Sequence, residues 1–254
     1  MRTEILYEDK SIMVVRKPAG LAVQSAGIGQ PDVVSELKSY LAKLPGAGRP
    51  GKGEPYLGIV HRLDQPVEGL LVFAKDKKTA AALSKQLTEG ALNKHYYAVL
   101  CGYPDCPEGD LVDFLRKEGN MAVAVTGREQ EFADAKIAAL HYRILEQIKA
   151  PSPLALADVT IGTGRFHQIR VQFAHAGFPL FGDTKYGTAV LKEAMPAQKY
   201  RGVALCAYSL ELVHPVSGKK MGFRVVPKNP AFAGFAMEEL KKLTENETGI
   251  SKRG

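Results

Sequence analysis

Ile59-Val60-His61-Arg62-Leu63-Asp64-Gln65-Pro66-Val67-Glu68-Gly69-Leu70-Leu71-Val72-Phe73-Ala74-Lys75 carries two apolar runs around a polar centre. Leu57 to Val60 reads as one short strand and Leu70 to Ala74 as a second, since apolar and β-branched residues cluster there between turn formers. Between them lie His61, Arg62 and Asp64, followed by a turn. Pro66 sets its own φ and excludes a central-strand position. Gly69 permits a positive φ or a close approach of another backbone. A His, an Arg and an Asp thus share a loop held by two strands, a rigid mount for chemistry. These residues alone leave two readings open. One is a reactive site; the other is a surface ion pair of Arg62 and Asp64, with His61 capping a strand end.

Two further stretches move the balance. Asn93-Lys94-His95-Tyr96-Tyr97-Ala98-Val99-Leu100-Cys101-Gly102 leads a basic residue and paired tyrosines into a strand. Gly162-Thr163-Gly164-Arg165-Phe166-His167-Gln168-Ile169-Arg170-Val171-Gln172-Phe173-Ala174-His175-Ala176-Gly177 is followed by Gly182-Asp183-Thr184-Lys185-Tyr186-Gly187. In this order the three stretches resemble the His-Arg-Leu-Asp, Lys-x-Tyr-x-Ala and Thr-Gly-Arg-x-His-Gln-Ile-Arg motifs of the RluA-type pseudouridine synthases. Gly182 to Gly187, Lys17-Pro18-Ala19-Gly20 and His214-Pro215-Val216-Ser217-Gly218 fit the same pattern. The resemblance covers roughly residues 4 to 228, and several ordered motifs together are far more specific than any one.

Composition agrees without deciding. A chain of 254 residues can bury a sizeable core. Its formal net charge of +7 favours an acidic partner, of which nucleic acid is the usual one, although a merely basic enzyme has the same balance. The three cysteines form no four-ligand zinc set and read as reduced structural thiols. No apolar run approaches the roughly 20 residues that span a bilayer, and no apolar signal segment follows Met1-Arg2-Thr3-Glu4. A cytoplasmic protein without membrane contact is the expectation.

Along the chain, Ile5 to Tyr7 and Ile12 to Val15 read as strands split by a turn, and Lys17 to Leu21 as an extended turn. Asp32 caps a helix whose stripe is Val33, Leu37, Tyr40, Leu41 and Leu44. Pro45 to Pro55 is a Gly/Pro-rich loop. Asp76 caps a second helix that ends near Gly90. Leu92 to Leu100 returns to strand. Leu111 to Leu115 is a short apolar segment, and Met121 to Val125, Ala135 to Leu145 and Leu154 to Ile161 read as a meander. His167 to Phe173 is ambiguous: Ile169, Val171 and Phe173 alternate as in a strand, while Ala174, Ala176 and Gly177 favour a helix, which is also what the resemblance implies. Gly187 to Gly202 reads as loop and short helix. Leu205 to Val213 and Met221 to Val226 form a hairpin around Ser217-Gly218, and Ala231 to Leu243 reads as a closing helix.

The family resemblance implies an α+β fold, with a mixed, mainly antiparallel sheet, flanking helices and a central cleft. It implies one catalytic domain over residues 1–236, a helix end and polar tail over 237–254, and no separate N-terminal RNA-binding domain. The implied reaction breaks the C1′–N1 bond of a uridine, turns the base and rejoins it through C5. It needs no cofactor, no redox step and no metal. Asp64 matches the family's catalytic aspartate, Tyr96 its active-site tyrosine, and Arg170 the guanidinium that keeps a carboxylate charged in a dry cleft. Arg165 is the second choice for that role and otherwise a phosphate contact. The target base must leave its stack; Arg62 is suited to fill the vacated space, with His61 and Gln168 holding neighbouring polar groups. His167 and His175 also read as structural histidines. Ribosomal or transfer RNA stem-loops are the expected partners, and a monomer is the default. Two departures from the family pattern stand out. Val67-Glu68 replaces a common Thr-Ser pair and brings a carboxylate near the expected RNA cleft, and Phe166 replaces a small polar residue. An inactive RNA-binding protein on the same scaffold and a metal-dependent hydrolase using His61, Asp64 and His167 are the competing classes.

Overall fold

A computed structural model describes the chain except residues 26, 28, 45–53, 127–133, 150–151, 188–201 and 237–254. Eleven strands form one sheet: β1 (Glu4–Glu8), β2 (Ile12–Lys17), β3 (Gly58–Ile59), β4 (Glu68–Ala74), β5 (Asn93–Cys101), β6 (Glu108–Glu118), β7 (Met121–Val125), β8 (Lys136–Ile148), β9 (Leu154–Ile161), β10 (Leu205–Val213) and β11 (Lys220–Arg224). Their order is β1-β2-β4-β10-β5-β9-β8-β6-β7, with β11 on β10 and β3 on β4. All described strand pairs are antiparallel except β4 with β10. The expected mixed, mainly antiparallel sheet is the one found.

Among the described residues three α-helices flank it: α1 (Val33–Ala42), α2 (Lys77–Thr88) and α3 (Gln168–His175). The Asp32 carboxylate accepts from Ser35 N at 2.7 Å, and the Asp76 carboxylate accepts from Thr79 N at 2.8 Å, as capping chemistry requires. Strands β2 and β4 are buried at every position, because helices or loops cover both faces there. Side chains alternate between two cores. Met13, Val15, Leu71 and Phe73 join α1 and α3 on one face; Ile12, Val14, Leu70 and Val72 join Leu83 of α2 on the other. The same alternation splits the tyrosine pair of β5. Tyr96 enters the α1/α3 core, and Tyr97 stacks on Tyr208 across the sheet at 3.8 Å.

Gly69 lies where β4 and β10 run parallel, opposite Ala207. Its φ is +129°, and a Cβ there would overlap the backbone of Ala207. Gly69→Ala is therefore expected to destabilise the fold by on the order of 3 kcal/mol or more. Thermal unfolding checks this; an unchanged midpoint would show that the two strands separate freely.

Two expectations are corrected, and the ambiguous His167 to Phe173 segment takes the helical form that the resemblance implies. The segment read at Leu111 to Leu115 is the middle of an eleven-residue strand, β6. Its apolar residues point both ways: Leu115 is buried while Val112 and Phe114 are exposed, so no clean alternation marks its length. His167 to Phe173 is helical from Gln168, and every residue from Gln168 to Phe173 is buried. Ile169 and Phe173 face the sheet, while Val171 packs with Leu115, Ala122 and Ala138. A helix covered on several sides has no single stripe, which is why its sequence also reads as strand. Finally, Ala231 begins no long helix within the described residues. Pro230–Phe232 is one 3-10 turn, and Phe232 and Phe235 plug the α2 face. The rest of that segment lies outside the described residues, as do most of the Pro45 to Pro55 and Gly187 to Gly202 loops.

Candidate active site

Asp64 stands on the loop from β3 to β4. Val67 N donates to Asp64 O at 3.1 Å and closes the turn across Gln65-Pro66. Gln65 O in turn accepts from Gly20 N at 2.8 Å and from Lys17 Nζ at 3.0 Å. Lys17, the last residue of β2, has no exposed surface, and its Nζ also donates to Leu21 O at 2.6 Å and Pro18 O at 3.1 Å. Three carbonyls thus satisfy a buried ammonium. Burial pushes its pKa down to about 7, against the opposing pull of Asp64 and Glu68. The 17–21 loop is stapled to the Asp64 turn in this way.

Arg170 reaches Asp64 from the first turn of α3. Its Nη1 donates to Asp64 Oδ2 at 3.0 Å. Its Nε and Nη2 donate to the two oxygens of Asp183 at 2.7 and 2.8 Å. Asp183 is fully buried and also accepts from Lys185 N at 3.1 Å. Burial opposes the Arg170 charge, but the two carboxylates outweigh it and raise its pKa. The fork pairing fixes the guanidinium plane, so one free edge is aimed at Asp64. Arg165, the second choice for this role, instead donates its Nε to Ile137 O at 2.9 Å.

His167 precedes α3 in the left-handed region, at φ +53°, the one non-glycine residue with positive φ among the described residues. Its Nδ1 lies 2.6 Å from the Tyr186 hydroxyl, which also accepts from Ala122 N. Its Nε2 lies 3.6 Å from Asp64 Oδ2. A Tyr186 O–H donated to Nδ1 leaves the Nε2 proton directed at Asp64. Burial lowers the His167 pKa to about 4, Asp64 opposing and Arg170 adding to the effect. Tyr96 is 5% exposed on β5, the middle strand of the sheet. Burial, and the nearby charge of Asp64, raise its hydroxyl pKa.

Asp64, Arg170 and Tyr96 therefore converge, with Asp64 partly open to solvent. Arg62 is exposed beside them, with no ion pair to a described residue. Two other candidates are turned inward. His61 is buried, its Nε2 accepts from Val72 N at 3.2 Å, and burial with the Lys94 charge lowers its pKa to about 3. Gln168 Oε1 accepts from Thr163 Oγ1 at 2.7 Å and Arg165 N at 3.0 Å, while its Nε2 donates to Ala139 O at 3.0 Å. In this geometry both residues hold the loops that carry the site, rather than facing the cleft. His61 is correspondingly unavailable as a ligand partner of Asp64 and His167. Val67 is core, and Glu68 is 3% exposed, accepting from Arg16 Nη2, Lys228 N and Asn229 N. The expectation of an added carboxylate in the cleft is overturned; Glu68 ties β4 to the segment after β11. His175 pairs with Asp113 at 2.8 Å, as its structural reading has it.

The sequence alone assigned no role to Lys17, Asp183 or Tyr186, and left His167 open between a structural histidine and a ligand of the competing hydrolase class. The signal was present, since Lys-Pro-Ala-Gly and Gly-Asp-x-x-Tyr-Gly were both singled out, but only folding shows what they touch. His61 and His167 also set an acid limit. Both fold with pKa values below the ordinary 6.5. Between the folded and unfolded values the unfolded chain binds more protons, so stability falls as pH falls from 6.5 toward 4. Each imidazole is expected to remove about 2 kcal/mol between pH 7 and pH 5. Urea unfolding at the two pH values tests this, and equal free energies would overturn it.

Among the described residues no helix is long and apolar enough to cross a membrane. The family model described as RNA pseudouridylate synthase matches residues 11–175. The chain is 35% identical over 229 residues to the ribosomal large subunit pseudouridine synthase D of Zymomonas mobilis, covering 87% of this chain and 68% of that one. It is 37% identical over 226 residues to an uncharacterized RNA pseudouridine synthase of Synechocystis, covering 85% and 63%. The corresponding synthase D of Escherichia coli O157:H7 is 36% identical over 232 residues, covering 86% and 65%. The chain thus spans about two thirds of the length of these relatives. Among solved structures, human RNA pseudouridylate synthase domain containing 4 superposes with a TM-score of 0.68 at 24% identity, covering 89% of both chains, and shares the fold. With the motifs around Asp64, Tyr96 and Arg170, these matches show that the chain belongs to the RNA pseudouridylate synthase family, in its RluA-type branch.

Proposed function

We propose that this enzyme isomerises specific uridines in structured RNA, with Asp64 as the essential carboxylate. Several relatives are named for the ribosomal large subunit, which favours ribosomal RNA as its substrate over transfer RNA. The observation that carries the reading is the contact of Arg170 with Asp64 at 3.0 Å in a partly open site beside Tyr96. In the reaction the C1′–N1 bond breaks and a C1′–C5 bond forms. The proton leaves C5 and N1 gains one, so nothing is added or lost. Asp64 meets the electron-poor sugar carbon or the base, as carboxylates do in glycosidic bond cleavage. Arg170 balances its charge, and Tyr96 lies against the flipped base and serves proton transfer at C5. Arg62, exposed next to Asp64, occupies the vacated stack, His61 and Gln168 act through the loops they brace, and Arg165 is a phosphate contact. Residues 1–236 act as one catalytic domain with 237–254 as a tail, as a monomer in the cytoplasm.

Pseudouridine mapping of cellular RNA tests this, comparing cells lacking the gene with cells restored by wild type. One or a few sites should vanish and return. Unchanged maps with the protein expressed and bound to RNA would instead favour the inactive RNA-binding reading.

A further inference from the structure

Next to the active site, Arg116, Lys117, Lys136, Asp134, Arg165 and Phe166 line a cleft of ≈ 490 Å³. Its volume falls in the range of small-ligand sites, about 300–1,000 Å³. Four of these residues are cations and one is an acid. Arg116 is paired with Glu118 at 2.6 Å, whereas Lys117 and Lys136 are exposed with no ion pair to a described residue. Among the described residues Arg165 commits only its Nε, to Ile137 O. At the inner end, Phe166 keeps 41% of its surface exposed. Its ring stacks on His167 at 3.8 Å and 22°, and Lys117 Nζ lies 5.0 Å from its centroid. His167 in turn lies 3.6 Å from Asp64. An aromatic ring, a row of cations and the reactive carboxylate are thus continuous.

A lone exposed phenylalanine needs no explanation. This one differs in being held flat by the His167 imidazole, itself 8% exposed, at the end of a basic groove nearest Asp64. Single-stranded nucleic acid is bound by that combination: cations follow the phosphates, and an aromatic face takes a base. We propose that Phe166 is a stacking platform for a nucleobase flanking the flipped uridine, with the Arg116–Lys117–Lys136–Arg165 groove carrying the backbone that leads to it. Lys117 leaves the ring for a phosphate as the base arrives, which its long flexible stem permits. The inference rests on the proposed RNA substrate and adds where the strand runs.

The test uses the full chain and an oligouridylate of about twelve nucleotides with one central 2-aminopurine. Wild type should quench the 2-aminopurine by stacking. Phe166→Ala should abolish the quenching and weaken binding by about 5- to 150-fold, while Phe166→Trp restores both. Lys136→Ala should weaken binding and reduce its salt dependence without changing the quenching. Quenching and affinity unchanged in Phe166→Ala overturn the proposal, as does an equal loss in Phe166→Trp, which would mark a packing role. The pseudouridine map separates this from the function. Wild type that modifies RNA with Phe166-independent binding sinks only the platform; Phe166-dependent binding without any modification sinks only the isomerase reading.

Discussion

Asp64→Asn should abolish pseudouridine formation, with a loss of at least about 10³-fold, while the protein stays folded. The amide is nearly the shape of the carboxylate and still offers an oxygen to Arg170 Nη1, now 3.0 Å from Oδ2. The turn beneath is built from backbone groups, Lys17 and Gly20, which the substitution does not touch. What disappears is a negative charge able to attack or to stabilise a cationic sugar. Single-turnover assays on the mapped RNA, beside thermal unfolding, give the reading. Activity within tenfold of wild type would remove Asp64 from the chemistry, and a collapsed unfolding midpoint would make the loss uninformative.

Asp183→Ala should cost both stability and rate, although Asp183 never touches substrate. The carboxylate is fully buried and takes two of the Arg170 hydrogen bonds. Its removal leaves a buried guanidinium with Asp64 as its remaining carboxylate partner among the described residues. Breaking one partner of such a pair costs about 3–5 kcal/mol, which lowers the unfolding midpoint by roughly 10 °C in a chain of this size. The freed Arg170 no longer holds its edge toward Asp64, and misplacement by about 1 Å is worth on the order of 10²-fold in rate. A positioning role predicts that kcat falls far more than KM rises, and that Asp183→Glu recovers part of the rate. Equal stability and rate in Asp183→Ala would show that Asp64 alone orients Arg170.

Much of the site was legible because its parts lie in contiguous motifs. Asp64 follows a strand and opens the Gln65-Pro66 turn, Tyr96 falls on the correct parity of β5, and Arg170 sits in the first turn of α3. The capping aspartates of α1 and α2 were legible for a local reason: the Asp side chain and the amides it caps lie within three residues. What misled were residues whose chemistry suits RNA but whose side chains turn inward. His61 and Gln168 carry the right polar groups, but a backbone amide holds the His61 Nε2, and a carbonyl, a hydroxyl and a backbone amide hold the Gln168 amide.

The amino-acid sequence by itself determined the strand and helix positions through β5 and the family, and it singled out Asp64 as the candidate carboxylate, because those signals are short-range or lie in ordered motifs. Tertiary structure alone decided which face each strand shows and which groups meet over long separations. Arg170 meets Asp64 across 106 positions, Glu68 the Asn229 amide across 161, and Lys17 the Gln65 carbonyl across 48. Such contacts exist only after the sheet has assembled. A buried charge is tolerated where partners from distant strands satisfy it, and local sequence carries no record of that pairing.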